Sequence, residues 1–522
     1  MQTIKLDESK YLSEQISVEQ VIEWGNGKVV LDCATGMGKT TLINKVVAKV
    51  AGNNNACVLF LSSRTALTEQ QMKNITRLGV TNMDVKTYQW LESLLERGEE
   101  DKIKDRYVFI VCDECHYFTN DATFNNNTQI SYKWIEKQPT VIYMSATGDV
   151  VFKYMKHKES VDWYYYTDMD YSEVSTITFC HSDEHMIECI KNIYDSGEKA
   201  IVFMDKLLKD GGLGTRVHSP MMDWFLKHQE DCHFLCSKSR MEYDPINEFD
   251  TAIKDGKFEK QFLFCTQALD VGIDIKDGQC KHAIVEMFDV DTVMQCLGRI
   301  RNKSNAHYYI RVYDKQTLVG KAQTLKNNFI DKAKKLKQMT QEERWEFCMK
   351  GTTFNSHKGL FYIDILDGKK IKVNELLLYK YEHIYEQYQT AMYGNGADSE
   401  LSSHPHVARW KYDFVEIANF KGQFIDLAER DEQNFRNEMN NYLQSIEGVR
   451  LDKDAQLELL ERLNVRGSNG TLRKTPKALN RWLLENDYDY VITTKQYKLG
   501  GVRHTGWYLT YKKVLQIRDV LI

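Results

Sequence analysis

The sequence predicts an α/β chain built from two parallel sheets in tandem, followed by a mostly helical region and a small basic module. Three observations predict it. Short apolar runs alternate with helical patterns from Lys28 to about Thr147, the rhythm of strands buried on both faces with crossover helices between them. The same rhythm restarts beyond a Tyr- and Asp-rich linker at Tyr164 to Asp170. A glycine-bearing stretch, Cys33-Ala34-Thr35-Gly36-Met37-Gly38-Lys39-Thr40, lies between the β-branched run Val29-Val30-Leu31 and the helical Thr41-Leu42-Ile43-Asn44. That strand, turn and helix order is the context a phosphate-binding loop needs.

In chain order, Ile16 to Trp24 reads as a short helix ahead of the first strand. Val29–Cys33, Cys57–Ser62, Tyr107–Cys112 and Thr140–Ser145 read as the strands of the first sheet. Ser175–Cys180, Ala200–Met204, His233–Cys236, Gln261–Cys265, His282–Met287 and His307–Tyr313 read as those of the second. Past Asp314 the pattern changes. Lys321 to Met349 is charged and helical in period, and Phe361 to Val373 reads as a hairpin turning at Asp367-Gly368. Gly394 to Pro405 has linker composition, and Phe414 to Ile446 is expected to be helical.

The last segment has its own shape. Ala455–Leu463 is an expected helix, and Thr475-Pro476 starts another with Thr as N-cap and Pro in the first turn. Its inward positions are Leu479, Trp482 and Leu483, and its outward ones Lys477, Asn480 and Arg481. Tyr490–Lys498 and Val502–Leu509 flank Gly500-Gly501, a strong hairpin signal. Helices followed by a hairpin bearing Lys495, Lys498, Arg503 and His504 resemble a winged helix-turn-helix; a basic α+β module that docks on the rest of the chain is the alternative. The expected boundaries are therefore 1–165, 166–315, 316–449 and 450–522.

Composition narrows the class. With 522 residues, 42% hydrophobic and 27% charged, the chain has core material for several domains and is not of disordered type. No run of about eighteen apolar residues occurs, and the N-terminus lacks signal architecture, so neither a membrane span nor export is expected. Twelve scattered cysteines in so large a chain suit a reducing, cytoplasmic compartment. Cys112-x-x-Cys115 and Cys232-His233-x-x-Cys236 lack the second pair that a zinc site requires. The net charge of −5 is unevenly distributed: Arg450 to Ile522 carries fourteen Lys or Arg against eight Asp or Glu, a net of +6, leaving −11 for the remainder. A basic end on an acidic body points to an anionic partner there.

Two motifs carry chemistry. In the glycine loop, backbone N–H groups around Gly36 and Gly38 can converge on a phosphate, Lys39 can reach the β- and γ-phosphates, and the Thr40 hydroxyl can ligate Mg²⁺. The other reading is a turn with a chance Gly-Lys-Thr. The second motif is Val111-Cys112-Asp113-Glu114-Cys115-His116 at a strand end. Nucleotide hydrolysis needs one carboxylate to hold Mg²⁺ and another to activate water, and adjacent Asp113 and Glu114 can supply both.

With these residues the chain resembles superfamily 2 helicases of the DExH type, here written Asp113-Glu114-Cys115-His116. Further motifs of that family follow in order: Ser62-Ser63-Arg64-Thr65-Ala66-Leu67, Lys86-Thr87-Tyr88-Gln89, Ser145-Ala146-Thr147, Phe264 through Ile275 with Thr266, Gly272 and Asp274, and Gln295-Cys296-Leu297-Gly298-Arg299-Ile300-Arg301. The resemblance covers roughly Ser17 to Asp314. Within the superfamily, the Gly-Arg-Ile-Arg ending looks most like viral origin-binding helicases of the herpesvirus type and related phage DNA helicases.

The resemblance implies two RecA-like domains using ATP and Mg²⁺. Thr35, Gly36, Met37, Gly38, Lys39, Thr40 and Thr41 would hold the nucleotide phosphates, with Gly272 and Asp274 on the nucleotide from the second domain. Thr40 and Asp113 would hold the metal, and Glu114 would be the general base. His116 would couple hydrolysis to the nucleic-acid side, a structural histidine being its alternative. Ser145 and Thr147 would link the domains. Gln295 with Arg299 or Arg301 would reach the γ-phosphate; the second arginine comes one residue earlier than the family pattern, where this chain has Asn302, so either can be the finger. Ser62, Arg64, Thr65, Thr87 and Thr266 would meet the phosphodiester backbone, joined by Lys477, Arg481, Lys495, Lys498 and Arg503 in the basic module. The adenine motif of DEAD-box proteins is not evident.

The expected activity is an ATP-dependent helicase or translocase on single-stranded or forked DNA, in replication or recombination and with replication proteins as partners. A DExH-type RNA helicase and an ATP-switched origin-binding initiator or scaffold are the alternatives. The Phe361–Val373 hairpin is a weak candidate for a strand-separating pin.

Overall fold

Val29, Val30 and Leu31 are completely buried, and the strand they form is an interior one of the first sheet. The structure, a computed structural model, describes residues 1–34, 36–123, 125–145, 149–205, 207–212, 215–235, 253, 256–266, 275–349, 359–394, 404–466 and 470–512. Thr35, Thr147, Cys236, Gly272, Asp274 and the interior of the Gly394–Pro405 stretch lie outside the described residues.

The first sheet contains β1 (Gln2–Lys5), β2 (Lys28–Asp32), β3 (Cys57–Ser62), β4 (Met83–Thr87), β5 (Tyr107–Asp113), β6 (Val141–Ser145) and β7 (Trp163–Tyr166). Their order is β1-β7-β2-β6-β5-β3-β4, and every pairing is parallel. The strands read from the sequence are here, with three additions, β1, β4 and β7. β1 has only four residues and an exposed, polar pattern that gives no apolar run to recognise. Tyr164 to Tyr166, read from the sequence as linker, is strand: its backbone pairs with both β1 and β2, and the Tyr164 and Tyr165 rings are buried in two different cores. The expected helix at Ile16 to Trp24 is shorter, Val18–Glu23, capped by Ser17 and preceded by one turn at Leu12–Gln15.

β8 (Thr176–Cys180) and β9 (Lys199–Phe203) open the second sheet, and a small hairpin follows as β10 (Leu208–Gly212) and β11 (Thr215–His218). β12 (Cys232–Leu235), β13 (Phe262–Cys265), β14 (Cys280–Val285) and β15 (His307–Arg311) complete the set that the sequence predicts. The order is β12-β13-β9-β14-β15-β8, with parallel pairings throughout. The tandem arrangement of two parallel sheets with flanking helices is as expected from the alternating apolar runs.

Beyond the second sheet, β16 (Phe361–Asp364) and β17 (Lys370–Val373) make the predicted hairpin. Phe361, Tyr362 and Ile371 are completely buried and anchor this hairpin, while its turn at Gly368 and Lys369 is exposed. A 19-residue helix follows, Glu375–Tyr393. Leu376 enters the core of the first sheet domain, while Tyr388 stacks on Phe288 of the second with ring centroids 4.1 Å apart. Phe414 to Ile446 is not continuous helix. β18 (Gln423–Asp426) interrupts it and adds an edge beside β8. Gly422 permits this: a Cβ there would stand 2.4 Å from the backbone oxygens of Val174 and Ser175.

The chain divides into two compact units, Met1–Ile425 and Asp426–Ile522. The second has its own core of Met439, Leu443, Leu459, Leu479, Leu483, Ile492 and Leu509 among others. Its order is helix Leu427–Ser445, β19 (Arg450–Leu451), helix Lys453–Leu463, helix Pro476–Glu485, β20 (Tyr490–Leu499) and β21 (Val502–Tyr511), with β21 central in the sheet. Thr475 caps the third helix by accepting from Ala478 N, and Pro476 lies in its first turn, as the sequence predicts. Asn480 differs from expectation. Its amide bonds both the N–H and the C=O of Ile492, at 2.7 and 2.9 Å, tying helix to hairpin instead of facing outward. No helix among the described residues is long and apolar enough to cross a membrane.

Candidate active site

β2 carries the chain to the carboxyl edge of the first sheet, where it turns through Cys33 to Gly38. Gly36 and Gly38 have φ of +90° and +81°, a left-handed backbone that side chains resist. Gly38 is the N-cap, and helix begins at Lys39. A capping side chain is absent there, so the first-turn amides keep their anion-binding potential. The loop is tethered at both flanks: Leu12 N donates to Met37 O at 2.9 Å, and Ala34 N to Thr167 Oγ1 at 2.8 Å. Lys39 Nζ donates to Cys33 O at 2.6 Å and Ala34 O at 3.2 Å. Thr40 and Thr41 follow in the same turn and are partly accessible. Cys33 is buried, and burial pushes its thiol up to about 12, so it packs as a small apolar residue.

Asp113 ends β5, and Glu114 adopts φ +48°, an uncommon left-handed conformation for a residue with a side chain. Tyr88 holds the turn by donating to Asp113 O at 2.9 Å, as does Cys115 N, which donates to Met144 O of β6 at 3.2 Å. Burial, and Glu114 beside it, push the Asp113 carboxyl up to about 8. Burial pushes Glu114 up as well, but the charges of His116, Arg299, Lys39 and Arg301 hold it below the ordinary carboxylate value. Burial pushes the His116 imidazole down to about 4, against the pull of the Glu114 charge. His116 Nδ1 lies 3.2 Å from Ser145 Oγ and 3.4 Å from Glu114 Oε2. The equivalent expectation for Thr147 falls outside the described residues.

The second sheet domain contributes the helix Val290–Gly298, capped by Asp289, whose Oδ2 accepts from Thr292 N at 3.1 Å. Gln295 and Arg299 are buried at its end. Backbone bonds from Ile275 N to Arg299 O (2.8 Å) and from Arg301 N to Ile275 O (2.9 Å) fix the arginine segment. Ala34, Glu114, Gln295, Gly298 and Arg299 line one cavity of about 70 Å³. The structure thus brings Ala34, at the start of the phosphate loop, and Glu114 to one cavity with Gln295 and Arg299. Arg301 is not among the residues lining that cavity, and its charge, after those of His116, Arg299 and Lys39, also lowers the Glu114 pKa. Gly272 and Asp274 belong to the undescribed part of their motif.

The positions expected to meet a phosphodiester backbone sit at strand ends, but most are engaged internally. Ser62 is completely buried, its hydroxyl 2.6 Å from Thr68 Oγ1. Thr87 caps the next helix by accepting from Trp90 N at 3.2 Å, and Thr266 is buried. Thr65 opens the helix Thr65–Leu78 and is exposed. Arg64 forms a bidentate pair with the buried Asp121, at 2.6 and 3.2 Å. In the terminal unit Lys477, Lys495, Lys498 and Arg503 are exposed, whereas Arg481 is paired with Glu485 at 2.7 Å.

Two contributors were not legible beforehand. Asp121 has no motif around it. Lys380, on the helix Glu375–Tyr393, donates to Asn120 Oδ1 at 2.6 Å and lowers the His116 pKa. It arrives from 260 positions along the chain, so no local signal marks it.

Residues 10–85 and 80–149 match the sequence profile of the family described as Type III restriction enzyme, res subunit. No curated protein matches the chain as a whole sequence. Solved structures similar to it include S. cerevisiae Dbp5 bound to RNA and ADP BeF3, at 15% identity over 60% of this chain and 87% of that one, TM-score 0.42. Mycobacterium smegmatis helicase Lhr bound to ssDNA and AMP-PNP is similar at 13% identity over 71% of this chain and 60% of that one, TM-score 0.38. The DEAD-box helicase Mss116 bound to ssRNA and UDP-BeF is similar at 14% over 60% and 72%, TM-score 0.40. At these scores the likenesses are loose, and the site rests on its own geometry.

Proposed function

We propose that the chain is an ATP-driven motor on nucleic acid, a helicase or translocase, and that DNA is its substrate. The observation that supports this most is the single cavity shared by Glu114 from the first sheet domain and Gln295 and Arg299 from the second. A hydrolytic site divided between two domains is a means of converting hydrolysis into domain motion. The match of residues 10–149 to the res-subunit family is consistent with it.

The donor set fits Mg²⁺ and a triphosphate. Thr40 and Asp113 offer the hard oxygen ligands that Mg²⁺ prefers, and the left-handed Gly36 and Gly38 leave the loop backbone open to phosphate oxygens. Mg²⁺ would neutralise charge on the β- and γ-phosphates. Lys39 would exchange its carbonyl partners for phosphate oxygens. Glu114, held ionised, would orient and deprotonate the attacking water, while Arg299 stabilises charge on the γ-phosphate. His116, touching both Ser145 and Glu114, would report the state of the base to the inter-domain segment that Ser145 begins.

The DNA assignment draws on the terminal unit. Its helix, strand, helix, helix, hairpin order with β21 central supports the winged helix-turn-helix reading, and its exposed cations suit a duplex. The Gly298-Arg299-Ile300-Arg301 ending supports a narrower kinship with origin-binding and phage DNA helicases, hence a role in replication or recombination. ATPase rates measured side by side with single-stranded DNA, duplex DNA and RNA test the proposal. Stimulation by DNA of about tenfold or more over RNA is expected; a rate indifferent to every nucleic acid would remove the motor reading.

A further inference from the structure

The helix Glu375–Tyr393 is held at its two ends by different cores. Leu376 packs with the residues of the first sheet domain, while Tyr388, Ala391 and Met392 pack with Phe288 and Leu318 beside the second. Between these anchors, Lys380, His383 and Gln387 follow at spacings of three and four, which puts them on one face over about 10 Å of axis. That polar face meets both sheet domains, and Gln387 on it is only 3% exposed.

Lys380 takes the first domain. Its Nζ donates to Asn120 Oδ1 at 2.6 Å, and Asn120 N donates to His116 O at 2.9 Å, so the ammonium holds the turn that follows Glu114 and His116. Gln387 takes the second. Its Oε1 accepts from Val290 N at 3.3 Å, one of the first-turn amides that a helix cannot satisfy internally. Val290 opens the nine-residue helix that ends at Gly298, directly before Arg299. His383 lies between the two, its Nε2 3.8 Å from Asp291 of that same first turn and 3.0 Å from Gln387 Nε2. His116, Asn120, Asp291, Gln295 and Lys380 share the lining of a cavity of only about 10 Å³, so the carboxylate turn and the arginine helix nearly touch at this point. Apolar contact is non-directional and tolerates sliding, whereas a hydrogen bond weakens steeply with distance and angle. The apolar ends therefore attach the helix, and its polar face fixes where each domain sits along it.

We propose that Lys380 and Gln387 are positioning residues for hydrolysis, the two ends of a strap on the helix Glu375–Tyr393 that sets Arg299 against Glu114. This rests on the reading of the Glu114 cavity as a hydrolytic site, and it adds a third region of the chain to that site's geometry. The test is ATP hydrolysis by the full chain. A displacement of about 1 Å at a reacting centre can cost a hundredfold, so Lys380→Ala should lower kcat by about ten- to a hundredfold. The KM for ATP should stay within about twofold, because the phosphate loop is untouched. Lys380→Arg, which keeps the charge and the reach, should restore most of the rate. Gln387→Ala breaks the strap at its other end and should give the same split between kcat and KM. A residue that acts through Arg299 has nothing to position once that arginine is gone. In an Arg299→Ala background, Lys380→Ala should therefore cost less than about a further twofold in the single-turnover rate. An unchanged kcat in either alanine variant overturns the strap and leaves the hydrolytic reading standing. A loss of equal size with and without Arg299 overturns it too, being the mark of a residue that only stabilises the fold. Absence of hydrolysis in the wild-type chain removes the hydrolytic reading, and the strap with it.

Discussion

Lys39 Nζ donates to the Cys33 carbonyl oxygen at 2.6 Å, so the ammonium closes its own loop instead of projecting from it. A second bond, to Ala34 O at 3.2 Å, completes the closure. These carbonyls place the charge where a phosphate would compete for it, and a phosphate offers a stronger, charge-assisted bond.

Lys39→Ala should therefore remove phosphate charge stabilisation without disturbing the loop's outer tethers at Met37 and Ala34. Hydrolysis is expected to fall at least about a hundredfold, the cost of losing one preorganised donor to a transition-state charge. Binding of single-stranded DNA, which uses other surfaces, should stay within about twofold at fixed salt. Steady-state phosphate release and fluorescence anisotropy measure the two. Full ATPase activity in the variant would sink the phosphate-loop assignment.

Arg299 and Arg301 can now be told apart. Arg299 is buried and lines the Glu114 cavity, whereas Arg301 is partly exposed and lies outside its lining. Arg299→Ala should lower kcat by about 10³ or more, in the range of arginine-finger losses. Arg301→Ala removes only one of the charges that keep Glu114 ionised, so its main effect should be an acidic limb of the pH–rate profile shifted upward. The reverse ranking of the two variants in kcat would exchange their roles.

His406 gives the fold an acid limit. It is buried, and burial first, with the charges of His404 and Arg409 in support, pushes its imidazole down to about 3. The Tyr313 N–H lies 3.2 Å from Nδ1 and the Trp410 Nε1–H lies 3.1 Å from Nε2; a neutral ring accepts from one of them, and a second ring proton would set N–H against N–H at both nitrogens. The unfolded chain binds a proton near the ordinary value of 6.5 and the folded one does not. Stability from this group is then complete above 6.5 and is lost progressively as pH falls from there toward 3. In His406→Gln the thermal midpoint should fall less than in wild type between about pH 7 and pH 5. Parallel pH slopes for the two proteins, read by differential scanning fluorimetry, would contradict this.

Most of the two sheets was legible because parallel strands buried on both faces are apolar throughout, as Val29–Leu31 and Phe262–Cys265 are. β1 escaped because its pattern is polar, and β18 because its placement depends on Gly422 meeting the Val174 and Ser175 carbonyls, a contact between distant segments. The site followed the same division. Lys39, Asp113 and Glu114 are marked by local order of strand, turn and helix. The preference for Arg299 over Arg301 needed the burial and cavity lining of the folded chain, and so did Lys380 and Asp121. Conversely, Ser62 and Thr87 matched a motif whose hydroxyls are used within the chain, as hydrogen-bond partner and helix cap.

The salt dependence of DNA binding separates the terminal unit's cations by their present partners. Lys477, Lys495, Lys498 and Arg503 are exposed, while Arg481 already pairs with Glu485 at 2.7 Å. Each phosphate neutralised adds about 0.7–0.9 to the slope of log affinity against log salt. Ending the chain after Asp426, the last residue of β18, removes the unit and should reduce the slope by about three if all four cations contact phosphate. Basal ATPase should be unaffected, since every residue of the Glu114 cavity lies in the other unit. Affinity alone is a poor witness, because it falls for any lost contact; the slope counts ions displaced. Arg481→Gln is the internal control. Its charge is offset by Glu485, so the variant should leave the slope unchanged while Lys477→Gln lowers it by close to one phosphate's share. Equal slopes for the truncated and full chains would mean that the basic end meets some partner other than DNA.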